Sequence, residues 1–189
     1  MAYDMGYIQA GVELLESYLM SSEVFWPLGE NPPEGEPEYP RLTLDGLLLA
    51  KERLLAHAKS ADQEEQVSRV ISELEVLRSR HRVAWEGKAM QCHRVRLRMW
   101  GDYLQEYQDN PGDNAGRYAY EVRLRVMLTL SGAEMGAQEN VATQLLDGLD
   151  NYLRSLLVRT GFIWEPELQP GFQPDKYWYL YGRLPPVAK

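Results

Sequence analysis

Residues 61–108 read ADQEEQVSRVISELEVLRSRHRVAWEGKAMQCHRVRLRMWGDYLQEYQ and decide the fold class. No proline falls in these 48 residues, and only Gly87 and Gly101 interrupt them. Val67, Val70, Ile71, Leu74, Leu77, His81, Ala84, Trp85, Cys92, Val95, Met99, Tyr103 and Tyr107 recur at helical spacing. Ser60 and Gln63 have the spacing of a capping box, which starts a helix at Ala61. Unbroken, the helix would be about 72 Å long, against a radius of gyration of roughly 16 Å for a compact domain of this size. Either it bends or stops near Gly87, where a mid-helix glycine costs about 1 kcal/mol relative to alanine, or a second copy covers the overhang. The expectation is a long helix with dimerisation.

Working outward, Asp109-Asn110-Pro111-Gly112-Asp113-Asn114 is a strong turn signal that closes a helical hairpin over 61–132. A helix follows from about Ala115 to Ser131, ending at Gly132. Another runs from about Gln138 to Thr160, with Val141, Leu145, Leu149, Tyr152, Leu153, Leu156 and Leu157 on one face and Gly161 as its C′ residue. Before the hairpin, Tyr7 to Leu19 keeps amphipathic spacing, and Thr43 caps a helix from about Leu44 to Ala58. Between these two, loop 22–42 is acidic and holds five of the eleven prolines over residues 27–40. Its preface Phe25-Trp26-Pro27-Leu28 either tucks back onto the helices or forms a partner patch.

The expected fold is therefore mainly α, a five-helix bundle around a long antiparallel hairpin in a helical domain over 1–160. Residues 161–189 form an aromatic, proline-rich appendage. Seven of the twenty aromatics lie in this last stretch, and Phe162 to Trp164 with Tyr177 to Tyr181 read as a small β-hairpin packed on the helices.

The chain of 189 residues carries 28 acids and 20 bases, net −8. A net negative charge argues against anionic partners, but its distribution weakens that argument. Residues 1–77 hold 15 acids and 5 bases (net −10), residues 78–125 hold 6 and 10 (net +4), and residues 126–189 hold 7 and 5 (net −2). No apolar run approaches the roughly 20 residues that span a bilayer. Residues 1–20 lack the basic start of a signal peptide, and the single Cys92 forms no intramolecular disulfide. The expectation is a cytoplasmic protein without membrane contact.

Chemistry-bearing motifs are sparse. His57, His81 and His93 lack the glutamate spacing of di-iron bundles and the pattern of zinc helices. No metal or cofactor is expected. His81, between Leu77 and Trp85 on the apolar stripe, reads as a core or interface histidine. Cys92 and His93 are adjacent, and adjacent helical residues do not face each other. No nucleophile elbow, phosphate loop or dinucleotide fingerprint is present, which disfavours the familiar enzyme classes and names no catalytic residue.

What stands out is the basic run around Arg78, Arg82, Arg94 and Arg98. Pairing across the hairpin would set residue 98 opposite about 124 and bring Arg123 and Arg125 near. Arginine forks recognise phosphate and carboxylate bidentately, and the acidic first 77 residues offer internal or intersubunit partners. Trp164, Tyr177, Trp178, Tyr179 and Tyr181 form an expected aromatic partner surface. The first reading is a non-enzymatic helical assembly or adaptor protein, a homodimer that also contacts a protein partner. The alternatives are a nucleic-acid-binding accessory protein using the arginines, and a motif-poor enzyme.

Overall fold

The computed structural model describes residues 1–57, 60–136 and 140–186, with backbone alone at 140 and 141. The chain is mainly helical with one small antiparallel sheet. Its α-helices are α1 (Ala2–Met20), α2 (Leu44–His57), α3 (Ala61–Arg80), α4 (Arg82–Asp109), the single turn α5 (Pro111–Asn114), α6 (Tyr118–Glu134) and α7 (Asn140–Leu156). Strands β1 (Val158–Arg159) and β2 (Gly182–Arg183) form the sheet. No helix among the described residues is long and apolar enough to cross a membrane. Contacts divide the chain into two units: residues 1–92 with 130–136, and residues 93–129 with 137–189.

In the first unit α1 packs against both α2 and α3. Ile8, Leu15 and Tyr18 of α1 meet a core supplied by Leu44, Leu47 and Leu54 of α2 and Val67 and Leu74 of α3, all buried. Gly11 permits the approach of α1 to α2. A Cβ there would lie 2.5 Å from Leu47 Cδ2 and 3.0 Å from Leu42 Cδ1, closer than packed carbons tolerate. Thr43 caps α2, its hydroxyl accepting the Gly46 amide at 3.1 Å. Ser60 caps α3 by accepting the Gln63 amide at 3.3 Å. Ala58, the expected end of α2, lies outside the described residues, as do 138 and 139 at the expected start of the last helix.

The acidic loop is closed at its neck. Trp26 and Leu42 exchange both backbone hydrogen bonds, at 3.0 and 2.8 Å, and Leu28 is buried. The Tyr39 ring meets that of Tyr3 at a tilt, centroids 4.9 Å apart, which holds the far limb of the loop on α1. The Phe25–Leu28 preface thus tucks back.

Three expectations are corrected. The 48-residue helix is interrupted at His81 (φ −113°, ψ 33°) rather than at Gly87. On either side of the interruption, Arg78 Nε and Trp85 Nε1 reach the same Glu134 carboxylate oxygen, both at 2.8 Å. Tertiary anchoring fixes the break, and Gly87 stays helical where Trp85, Lys88 and Ala89 are buried around it. The last helix ends at Leu156, not Thr160, because Val158 and Arg159 pair with Arg183 and Gly182. Finally, the aromatic runs are not the strands. Residues 178–180 form a 3₁₀ turn in which Tyr179 and Leu180 are both buried. Consecutive buried residues are incompatible with the period-two alternation of a half-exposed strand.

The second unit gathers an aromatic interior. Trp100 stacks on Tyr103 at 5.6 Å and lies 6.5 Å from Tyr118. Tyr118 donates its hydroxyl to the Tyr179 carbonyl at 2.7 Å, and Tyr107 donates to the Pro185 carbonyl at 2.8 Å. These two bonds anchor the C-terminal segment within the unit.

Candidate functional site

The folded distribution of charge differs from the linear one. The first unit contains 17 acids and 9 bases, net −8, and the second 11 and 11, net 0. The basic block of the sequence is divided between them, and its arginines meet different fates.

In the first unit Arg78 is held by Glu75 at 2.9 Å and by Glu134 at 2.8 Å. Burial alone would raise the Glu75 carboxyl, but hydrogen bonds from Lys51 and Arg78 hold it below the usual carboxylate range. Arg82 pairs with Glu86 one helical turn away at 2.8 Å. In the second unit Arg125 is buried and forks onto Asp150, Nε to Oδ1 and Nη2 to Oδ2, each at 2.7 Å. Arg123 lies flat on the Tyr120 ring, 3.4 Å from its centroid. Burial and the charge of Arg96 push Arg123 down to about 10.

Arg94 and Arg98 lie apart from these. They stand one turn apart on α4, both exposed, and line a groove of about 800 Å³ between α4 and α7. Leu97 and Gly101 complete the α4 wall, and Asp102 closes one end. From α7 the groove receives Ala142, Leu145, Gly148 and Leu149. Leu145 is 58% exposed. Why α7 leaves a leucine in water follows from its register: Ala142, Asp150 and Leu153 are buried, so the flank carrying Leu145 and Leu149 turns toward the groove. Gly148 is in the middle of the helix, yet a Cβ there would meet nothing within 4 Å. Internal packing does not require this glycine.

The expected aromatic surface is interior at two of its five residues and partly exposed at Trp164, Trp178 and Tyr181. Tyr177 and Tyr179 are buried. Tyr177 sits between Phe172 (5.0 Å) and Tyr179 (6.2 Å). Half-buried Trp164 donates Nε1 to the Ala119 carbonyl at 2.8 Å, and Tyr181 donates to the Phe172 carbonyl at 2.9 Å. Trp178 carries the Arg154 guanidinium 3.9 Å above its ring. These contacts build the unit rather than display its rings.

Cys92 and Lys88 are committed to internal contacts. Cys92 is buried against Tyr18, with sulfur and phenol oxygen 3.6 Å apart, and burial pushes the thiol up. A protonated, enclosed thiol is a poor nucleophile. Lys88 donates to the carbonyls of Ser21 and Glu23, each at 2.8 Å, beneath the Tyr18 ring. His81 Nε2 is 3.6 Å from Glu16, beyond hydrogen-bond reach. Among the described residues no three His, Cys, Asp or Glu side chains are grouped to hold a metal ion. A smaller concavity of about 570 Å³ between α1 and α3 is lined by Arg69 and Glu73 together, so it selects neither charge.

Sequence reading named Arg94 and Arg98 but missed the groove. Leu145 and Leu149 belong to an apolar stripe that periodicity assigns to a core, and periodicity does not say what covers a stripe. The chain matches no known protein-family model, and neither a curated protein nor a solved structure is detectably similar to it.

Proposed function

We propose that this chain is a non-enzymatic helical protein acting through protein–protein contacts, with the α4–α7 groove as its docking surface. The observation that carries the reading is the exposure of Leu145, with Leu97 and Leu149, in a concavity rimmed by Arg94 and Arg98. Exposed apolar surface framed by polar groups is the ordinary signature of an interaction site. The groove is open along one side, so a small molecule would stay largely in water, whereas small-molecule sites enclose 70–90% of their ligand. A helix laid between two helices suits it better. Arg125 is buried on Asp150 and Arg78 is held between Glu75 and Glu134, which takes two of the six arginines from a nucleic-acid surface.

The test is co-purification of the full chain from its native cell, beside the Leu145→Asp variant. We expect a nuclease-resistant protein partner with the wild type that is lost with the variant, at unchanged melting temperature. Partner loss on nuclease treatment would favour nucleic acid instead. Equal capture by both proteins would remove the groove from the account.

A further inference from the structure

At the interruption between α3 and α4, in the first unit, we infer that His81 is a proton-operated latch: once its imidazole is charged, Nε2 donates to Glu16 and ties α1 to the break.

The helical ladder continues on both sides of His81. Its amide donates to the Leu77 carbonyl at 2.9 Å, and its carbonyl accepts the Trp85 amide at 2.9 Å. What interrupts the helix is the backbone of His81 itself, φ −113° and ψ 33°, against about −63° and −42° in a regular helix. Rotation at one residue therefore separates the broken helix from a continuous one. Glu134 grips the flanks of the break through Arg78 and Trp85, but it does not hold the imidazole between them.

That imidazole is enclosed, the side chain only 13% exposed, and Nε2 is buried with no hydrogen-bond partner among the described residues. Buried polar atoms are nearly always paired, so an orphan at a backbone break needs a reason. A waiting acceptor supplies one. Glu16 Oε1 lies 3.6 Å away on a side chain that is 64% exposed and makes no other ion pair among the described residues. A shift of about 0.8 Å would bring the two atoms to the spacing of a charge-assisted bond. Neutral imidazole carries one proton, and with that proton on Nδ1 a lone pair faces the carboxylate; imidazolium donates from both nitrogens. Histidine passes between these forms over the range of about pH 5 to 8.

The other charges around the break leave this pair to itself. Arg78 of α3 is shared by Glu75 and by Glu134 of α6, and Glu75 also takes Lys51 of α2. On α4, Arg82 pairs with Glu86, and Lys88 turns to the Ser21 and Glu23 carbonyls. Arg80 is exposed, where water and salt screen its charge. Glu13, one turn before Glu16 on α1, is exposed as well and adds a second negative charge to that helix. Because the unfolded chain lacks the pair, its stabilisation is present at low pH and is lost as pH rises and the imidazole gives up its proton.

The test unfolds the full chain in urea at pH 5.5, where carboxylates are ordinarily still ionised, and at pH 8.0, beside His81→Gln, Glu16→Gln and the double variant. We expect a double-mutant-cycle coupling of at least threefold in the unfolding constant at pH 5.5 and none at pH 8.0. Glu16→Lys should destabilise more than Glu16→Gln at pH 5.5 and equally at pH 8.0. Native-state hydrogen exchange at pH 5.5 reads the break itself: the Trp85 amide, which bonds across it, should exchange at least threefold faster in Glu16→Gln than in the wild type.

Equal coupling at both pH values would make the contact a plain structural one, and absence of coupling at pH 5.5 would mean that the two side chains do not engage. Either result overturns the inference, as does an unchanged Trp85 exchange rate in Glu16→Gln. The groove between α4 and α7 belongs to the second unit, so failure of the latch leaves the docking reading as it stands.

Discussion

Arg125 and Asp150 face each other across α6 and α7 in a two-pronged ion pair, both contacts 2.7 Å and both residues no more than 8% exposed. Thr129 accepts a third Arg125 hydrogen bond at 2.7 Å, and the Tyr179 ring lies 4.7 Å below the guanidinium carbon. The charges are thus surrounded rather than solvated, and neither tolerates loss of the other.

Replacing Asp150 with alanine strands the guanidinium, and the expected loss of stability is about 3–5 kcal/mol. Arg125→Met alone strands the carboxylate at similar cost. The double variant Arg125→Met, Asp150→Leu should recover most of the loss, because apolar pairs of comparable volume replace buried ion pairs at little expense. Urea unfolding of the four proteins in a double-mutant cycle checks this, and additive losses would contradict it.

Tyr179 adds a pH dependence to the same network. Burial raises its phenol, Arg125 and the Thr129 hydrogen bond partly oppose that, and the net result is about 12. An unfolded tyrosine titrates near 10. The folded state therefore holds the proton more tightly, and the contribution is complete below pH 10 and lost as pH rises through about 12. The urea midpoint should be level from pH 7 to 9 and fall above 10. Tyr179→Phe should cost about 1 kcal/mol at pH 7 and show a shallower fall between pH 10 and 12. An identical fall in both proteins would contradict the assignment.

Lys88 secures the segment that leaves α1. Its ammonium donates to the Ser21 and Glu23 carbonyls, and burial lowers its affinity for the proton. Lys88→Met keeps the length of the side chain and leaves two carbonyls without their donor, with an expected loss of about 2 kcal/mol. Hydrogen exchange should quicken over residues 21–28 before it does in α2. Uniform quickening throughout the unit would show that the effect is not local.

Much of the helical content was legible because capping and spacing are local. Thr43 and Ser60 cap the helices that their side chains announce, and the start of α2 at Leu44 follows directly. The interruption at His81 was not legible: it depends on Glu134, more than fifty residues away, gripping Arg78 and Trp85 together. The C-terminal segment misled for a related reason. Its aromatics resemble strand residues in composition, but Tyr177, Tyr179 and Leu180 are all buried, and burial on every side needs turns that alternation would not supply. At the groove the types of Arg94 and Arg98 were readable and their setting was not. The other four arginines of the expected set have the same chemistry and lie elsewhere, engaged by Glu75, Glu134, Glu86, Asp150 and the Tyr120 ring.

The groove as a protein-docking surface is the central claim, and site-specific photocrosslinking tests it most directly. A benzophenone side chain at position 145, carried by the full chain in its native cell, places the reactive group over Leu97 and Leu149. The account predicts one discrete adduct, mapped by mass spectrometry to a helical segment of another protein and abolished by Arg98→Glu. Adducts only with nucleic acid, only with a second copy of this chain, or with the same yield in Arg98→Glu would contradict it.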